Sequence, residues 1–138
     1  MVFPADGAIL MVIDTSVIVA ILRNEPEAIR LEKALVADPI RLIPATCVLE
    51  ARMVLISRHG EHALAEIDLW LSKIEANVIP VDADLVDLAT QAWLAYGKGR
   101  HPAALNFADC LPYALATRAD EPLLFIGNDF SQTDIEAA

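Results

Sequence analysis

Positive charge is scarce in this chain of 138 residues. Ten Lys and Arg stand against 20 Asp and Glu, which gives a net charge of −10. Proteins that coat nucleic acid without sequence preference are normally basic, so this balance argues against that class. It does not exclude an enzyme that acts on nucleic acid, and it suits a basic protein partner.

Cysteine is also scarce, and Cys47 and Cys110 allow at most one disulfide. No Lys or Arg precedes Arg23, so a secretory signal peptide is not indicated. The apolar stretch over residues 8–22 contains Asp14 and is too short for a membrane span. We therefore predict two reduced thiols in a cytoplasmic protein that does not enter a membrane.

Apolar residues are abundant, at 56% of the chain with a mean hydropathy of +0.45, so a substantial core is expected. The length indicates a single domain. The first predicted strand, over residues 8–13, can also begin directly at Met11 without the residues before it. We therefore predict an N-terminal extension over residues 1–10 and one domain over residues 11–138.

Strand and helix periods alternate along the chain. Strands are predicted at 8–13, 41–43, 77–81 and 123–126. Helices are predicted at 15–24, 26–37, 44–58, 61–74, 82–96 and 107–119. Thr15 or Ser16 is expected to cap the first helix. This order predicts an α/β sandwich with a mainly parallel sheet.

Four carboxylates stand where apolar runs meet turns or helices: Asp14, Glu50, Asp109 and Asp129. In open parallel sheets the ligand crevice lies at the carboxyl ends of the strands. Asp14 ends the first strand and Asp129 follows the fourth, and the other two lie on helices that start at that edge. The topology therefore predicts one acidic pocket. A bound cation would offset the cost of crowding these charges, and Mg²⁺, Mn²⁺ and Ca²⁺ prefer oxygen ligands.

Each acid also has a purely structural interpretation. Asp14 could cap a helix, although the two hydroxyl residues after it can do the same. Glu50 could be a solvated helix residue that pairs with Arg52. Asp109 could be a first-turn charge favoured by the helix dipole. Asp129 could belong to a turn or a cap.

The four acidic segments, taken together, resemble the PIN-domain ribonucleases, and within them the VapC-type toxins of bacterial toxin–antitoxin pairs. The matching segments are residues 12–16, 44–50, 105–110 and 124–130. The family often has Gly where this chain has Ala108. The resemblance runs from Met11 onward and implies a PIN-like three-layer α/β/α sandwich, with a mainly parallel central sheet of four or five strands.

The resemblance implies a metal-dependent endoribonuclease that uses Mg²⁺, or Mn²⁺ in its place, to hydrolyse RNA phosphodiester bonds. It implies that Asp14, Glu50 and Asp109 are the principal metal ligands and catalytic residues. Asp129 would complete the cluster or hold a second ion. The candidate substrate-binding residues are Thr15, Ser16, Lys98 and Arg100.

Lys98, Arg100 and His101 form a basic run among glycines, which predicts a mobile loop ahead of the helix that carries Asp109. This loop either binds RNA phosphates or is an ordinary solvated loop. The resemblance also implies a homodimer and a small VapB-like antitoxin that blocks the acidic pocket, often with a basic side chain. The apolar helix over 61–74 is a candidate partner surface, although core packing explains its pattern equally well.

Two other functions remain open at this point. A phosphoryl-transfer enzyme or a receiver-like domain also places acids at strand ends. A dehalogenase-type phosphatase, however, needs Asp at the position of Ser16, and a receiver needs a Lys after residues 123–126. The other possibility is a noncatalytic PIN-like interaction module, against which the presence of all four acids argues.

Overall fold

The computed structural model describes residues 10–138. Within them, the strands are β1 (Leu10–Ile13), β2 (Ile40–Pro44), β3 (Asn77–Ile79) and β4 (Leu123–Leu124). The α-helices of the same residues are α1 (Thr15–Leu22), α2 (Ala28–Ala37), α3 (Ala45–His59), α4 (Ala63–Lys73), α5 (Ala83–Tyr96) and α6 (Phe107–Ala119). A short 3₁₀ helix follows β4 at Phe130–Gln132.

The four strands form one sheet in the order β3-β2-β1-β4, and every neighbouring pair is parallel. Val12 of the central strand lies in register with Leu42 on one side and with Leu123 on the other. All four residues of β1 are buried, as expected for a strand that helices cover on both faces. The predicted α/β sandwich with a mainly parallel sheet is confirmed.

Alternate side chains of the strands build two cores on opposite faces of the sheet. Val12 and Leu42 face the core beneath α5 and α6. Ile13 and Ile43 face the core beneath α1, α2 and α3. Helix α4 packs outside α3 through a smaller apolar cluster. Each fully buried Leu or Ile contributes roughly 1.5–3 kcal/mol, so these two cores hold the three layers together.

The fourth strand is shorter than predicted and ends at Leu124 instead of at residue 126. The chain leaves the sheet there because the backbone N–H of Ile126 donates to the Ser16 hydroxyl, at 3.0 Å. The free side of β4 is covered by the chain terminus, where the Leu123 N–H donates to the Glu136 carbonyl at 2.8 Å. The third strand is also shorter than predicted and ends at Ile79 instead of at residue 81.

Hydrogen bonds close the turn between α5 and α6, and the mobility that its glycines predict stays a prediction. The Lys98 N–H donates to the Leu105 carbonyl, and the Leu105 N–H donates back to the Tyr96 carbonyl, both at 2.9 Å. The His101 ring meets the Tyr96 ring edge to face, with centroids 5.0 Å apart.

Both cysteines are free and buried, as the sequence predicts for reduced thiols. Among residues 10–138, no helix combines the length and the apolar content that crossing a membrane requires.

The first strand begins at Leu10, one residue before the predicted domain boundary at Met11. Leu10 pairs with Ile40 and is buried in the core beneath α5 and α6. Leu10 is therefore part of the folded domain. Residues 1–9 lie outside the described residues, so the extension predicted there stays a prediction.

We predict that Leu10→Ala lowers the free energy of unfolding by about 2–4 kcal/mol, because it leaves a cavity beside the central strand. Leu69→Ala, at an exposed position of α4, is the matched control and should change it by less than about 0.5 kcal/mol. Urea unfolding followed by circular dichroism measures both values. Equal small changes in the two variants would show that Leu10 does not belong to the core.

Candidate active site

The order of the strands places a crevice between the carboxyl ends of β1 and β4. In the sheet, β2 lies beside β1 and β3 lies beside β2. The chain then returns, and β4 pairs with the other side of β1. Such a reversal of strand order is where open α/β sheets bind their ligands. An open cleft of about 340 Å³ lies there. The residues that line it include all four predicted acids, Asp14, Glu50, Asp109 and Asp129.

Asp14 is both the cap of α1 and a wall of the cleft. Its Oδ2 accepts hydrogen bonds from the Ser16 N–H at 3.1 Å and from the Ser16 hydroxyl at 2.7 Å. The prediction that Thr15 or Ser16 caps α1 is therefore wrong, because Asp14 occupies the cap position. Both Ser16 donors bond to Oδ2 of Asp14, so these two hydrogen bonds do not involve Oδ1.

The Asp14 carboxyl is only 7% exposed, which makes its charge costly. Burial raises its pKa, and the nearby charge of Glu50 raises it further, whereas the hydrogen bonds from Ser16 act in the opposite direction. Hydrogen bonding thus offsets only part of the cost of ionising this group. A cation in the cleft would offset the remainder.

Asp109 combines the helix-end role and the cleft role that the sequence left open. It is the third residue of α6 and forms a capping box with Asn106. Its Oδ2 accepts from the Asn106 N–H at 3.1 Å, and its own N–H donates to the Asn106 side chain at 3.0 Å. A carboxylate that only complements a helix dipole should have a lowered pKa. Burial instead raises the pKa of Asp109 to about 6, and the charges of Asp14, Asp129 and Glu50 add to this effect.

Glu50 and Asp129 form the more open part of the acidic wall. Glu50 is half-buried on α3, and Arg52, suggested as its partner, pairs instead with Asp68 at 2.8 Å. Asp129 is exposed at the start of the 3₁₀ helix, where its side chain makes no capping hydrogen bond. Glu50 therefore lacks the suggested ion pair with Arg52. Asp129 does lie in a turn, as its structural interpretation proposed, and it also lines the cleft.

Ser16 ties the two sides of the cleft together. Its hydroxyl donates to Asp14, at the end of β1, and accepts from the backbone N–H of Ile126, which follows β4. Ser16 and Ile126 are 110 positions apart in the chain. Thr15 also lines the cleft, and its hydroxyl is buried.

The cleft differs from the sequence prediction in two respects. Lys98 and Arg100 are not among its lining residues and lie in the turn between α5 and α6. Glu25 is a fifth carboxylate in the lining, and it pairs with Arg23 at 3.1 Å. Nothing in the sequence marks Glu25, because it follows a helix and not a strand.

The donor set fits a hard cation that keeps part of its water shell. Within the described residues, no three His, Cys, Asp or Glu side chains come close enough together to form a complete metal site. Mg²⁺ is usually held by one or two carboxylates and retains several waters. Here four carboxylates line an open cleft without closing around one point, and Asp14 among them is buried with a raised pKa. This arrangement suits an ion that one or two carboxylates hold while water fills its other positions.

Comparison with known proteins settles the family. Residues 11–136 match the PIN domain family. Ribonuclease VapC30 of Mycobacterium tuberculosis (strain H37Rv) is 49% identical over 125 residues, which cover 91% of this chain and 95% of that protein. The chain belongs to the VapC group of PIN-domain proteins.

Solved structures show the same fold. A crystal structure of Mycobacterium tuberculosis VapC20, described as a Sarcin-Ricin loop cleaving toxin, superposes with a TM-score of 0.75 at 20% identity. The superposition covers 93% of this chain and 98% of VapC20. A toxin–antitoxin complex from Klebsiella pneumoniae gives a TM-score of 0.69 at 19% identity, with 90% of this chain and 92% of that chain covered. The three-layer PIN sandwich is thus confirmed.

The raised pKa of Asp109 predicts a gain in stability when this acid is neutralised. The folded chain holds the proton up to about pH 6, whereas the ordinary value for Asp is 3.8. The ionised carboxylate therefore lowers the stability of the fold above about pH 6. This cost disappears below pH 3.8, where the group is protonated in both the folded and the unfolded chain. In EDTA at pH 8, Asp109→Asn should raise the Tm by about 3 °C or more. The gain should shrink as the pH falls from 6 towards 4.

Asp84→Asn is the matched control, since Asp84 is also a first-turn acid, on α5. Asp84→Asn should leave the Tm unchanged, or lower it slightly, at pH 8 and also between pH 6 and pH 4. Thermal melts followed by circular dichroism measure the difference. A lower Tm of Asp109→Asn at pH 8 would mean that Asp109 is chiefly a capping residue.

Proposed function

We propose that this VapC-group chain is a metal-dependent endoribonuclease that acts as the toxin of a toxin–antitoxin pair. The observation that carries the proposal is the convergence of Asp14, Glu50, Asp109 and Asp129 on one cleft where the strand order reverses. The 49% identity to a protein named as a ribonuclease supports RNA as the substrate. It also favours this function over a phosphoryl-transfer enzyme, a receiver-like domain or a noncatalytic module.

Asp14 and Asp109 are the residues that would hold the ion, directly or through water, with Glu50 and Asp129 facing it from the open side. Mg²⁺, or Mn²⁺ in its place, would supply a nucleophile from bound water and would stabilise charge on the phosphate. Ser16 fixes Asp14 through two hydrogen bonds, so the ligand oxygen need not reorganise when substrate arrives. Thr15 lines the cleft, and its hydroxyl would donate a hydrogen bond to a phosphate bound there.

We predict that Asp14→Asn, Glu50→Gln and Asp109→Asn each lower the rate of RNA cleavage by about 100-fold or more, because each removes a charge that would hold the ion. Asp129→Asn should have an equal or smaller effect. Cleavage of a fluorophore–quencher RNA with Mg²⁺ or Mn²⁺, and with EDTA, measures these rates.

The control is Asp84→Asn, which should cleave at the unaltered rate. Circular dichroism spectra establish that every variant is folded. Full activity in Asp14→Asn, or undiminished cleavage in EDTA, would contradict the proposed metal site.

The same acidic cleft would also serve as the binding site of an antitoxin partner. A basic side chain inserted among four carboxylates would offset their repulsion much as an ion does, and would exclude the ion. The similarity to a chain of the Klebsiella pneumoniae toxin–antitoxin complex supports a small VapB-like partner. The homodimer implied by the resemblance stays a prediction, as does the cytoplasmic location.

Expression in bacteria tests the toxin role. We predict that the chain alone arrests growth and that co-expression of the adjacent small open reading frame restores it. Asp14→Asn expressed to the same level is the control and should not arrest growth. Equal growth with and without the partner, at matched protein levels, would contradict a toxin function.

A further inference from the structure

An aromatic groove runs between α5 and α6, beside the acidic cleft. It has a volume of about 340 Å³ and is lined by Val86, Ala89, Trp93, Phe107, Cys110 and Leu111. The Phe107 side chain is 81% exposed and Trp93 is 42% exposed. Packing within this chain therefore does not account for the position of the Phe107 ring.

The Trp93 ring is held in place, and the guanidinium of Arg100 packs over its face. The Arg100 guanidinium lies 5.0 Å from the centre of the ring, and its Nε donates to the Leu94 carbonyl at 3.2 Å. Gly97 provides the space for the ring, because a Cβ at that position would lie 2.5 Å from Trp93 Cδ1. Lys98 is exposed in the same turn. This end of the groove is thus basic in a chain with a net charge of −10.

The groove and the acidic cleft share one helical turn. Phe107 is the first residue of α6 and Asp109 is the third, and Asp109 lines the cleft while Phe107 lines the groove. Residues two apart on a helix project to different sides, so a strand with a phosphate at the cleft would reach the groove by crossing the N-terminus of α6.

We propose that this groove binds bases of single-stranded RNA next to the phosphate that is cleaved, an inference that rests on the proposed ribonuclease function. Exposed aromatic rings beside cations are the usual platform for single-stranded nucleic acid, because bases stack on the rings and the cations attract the backbone. The acidic cleft repels RNA when no cation is bound. Affinity for the strand must therefore come from a surface such as this one.

Phe107→Ala tests the groove through RNA binding, without requiring cleavage. Fluorescence anisotropy of a labelled single-stranded RNA of about 12 nucleotides, in EDTA at low salt, gives the Kd. We expect Phe107→Ala to weaken binding about tenfold, since it removes one stacking ring. Phe107→Tyr keeps the ring and should bind as the unaltered chain does. Val36→Ala, at an 80% exposed position of α2, is the control and should leave the Kd unchanged.

Three results would overturn the proposal. The first is an unchanged Kd in Phe107→Ala, and the second is a lack of measurable RNA binding by the unaltered chain. The third is a fall in mass from dimer to monomer in Phe107→Ala, measured by light scattering, which would assign the groove to a second copy of the chain. Each of these results leaves the ribonuclease proposal standing, whereas intact RNA binding without any cleavage would contradict that proposal alone.

Discussion

The buried carboxylate of Asp14 is the constraint on which the rest of this site depends. Asp14 directly follows the central strand, and its backbone N–H donates to the Leu124 carbonyl at 3.1 Å, which holds this residue against the edge of the sheet. Two carboxylates about 5 Å apart at an effective dielectric of about 20 repel by roughly 3 kcal/mol. A fold that gathers several acids around a buried one sacrifices stability, and such a sacrifice is typical of functional sites.

Helix N-termini reduce this cost when no ion is bound. Asp14 caps α1, and Asp109 lies in the first turn of α6, so both acids stand at the positive end of a helix dipole. Their backbone and side-chain partners satisfy one oxygen of each carboxylate. The same geometry that keeps the acids in place therefore leaves them able to bind a cation. A capping role is therefore compatible with the proposed ligand role of these two acids.

The sequence predicts the sheet and the acidic pocket because both depend on strongly patterned segments. Residues 10–13 are apolar without interruption and are buried on both faces, and the acids follow or precede such runs. The end of β4 escapes prediction because it depends on the Ser16 hydroxyl, which bonds to Ile126 from far away in the chain. For the cap of α1 the sequence offers Asp14 as well as Thr15 and Ser16, and only the folded structure decides among them. Glu25 escapes because only the tertiary fold brings its turn to the cleft.

The direct test of the four-acid site is a crystal structure of the chain grown with Mn²⁺, with anomalous scattering measured at the manganese absorption edge. We expect an anomalous peak in the cleft, with Asp14 and Asp109 bound to the ion directly or through an ordered water. A map without a peak in the cleft at saturating Mn²⁺, or a peak only at other carboxylates of the surface, would contradict the four-acid site.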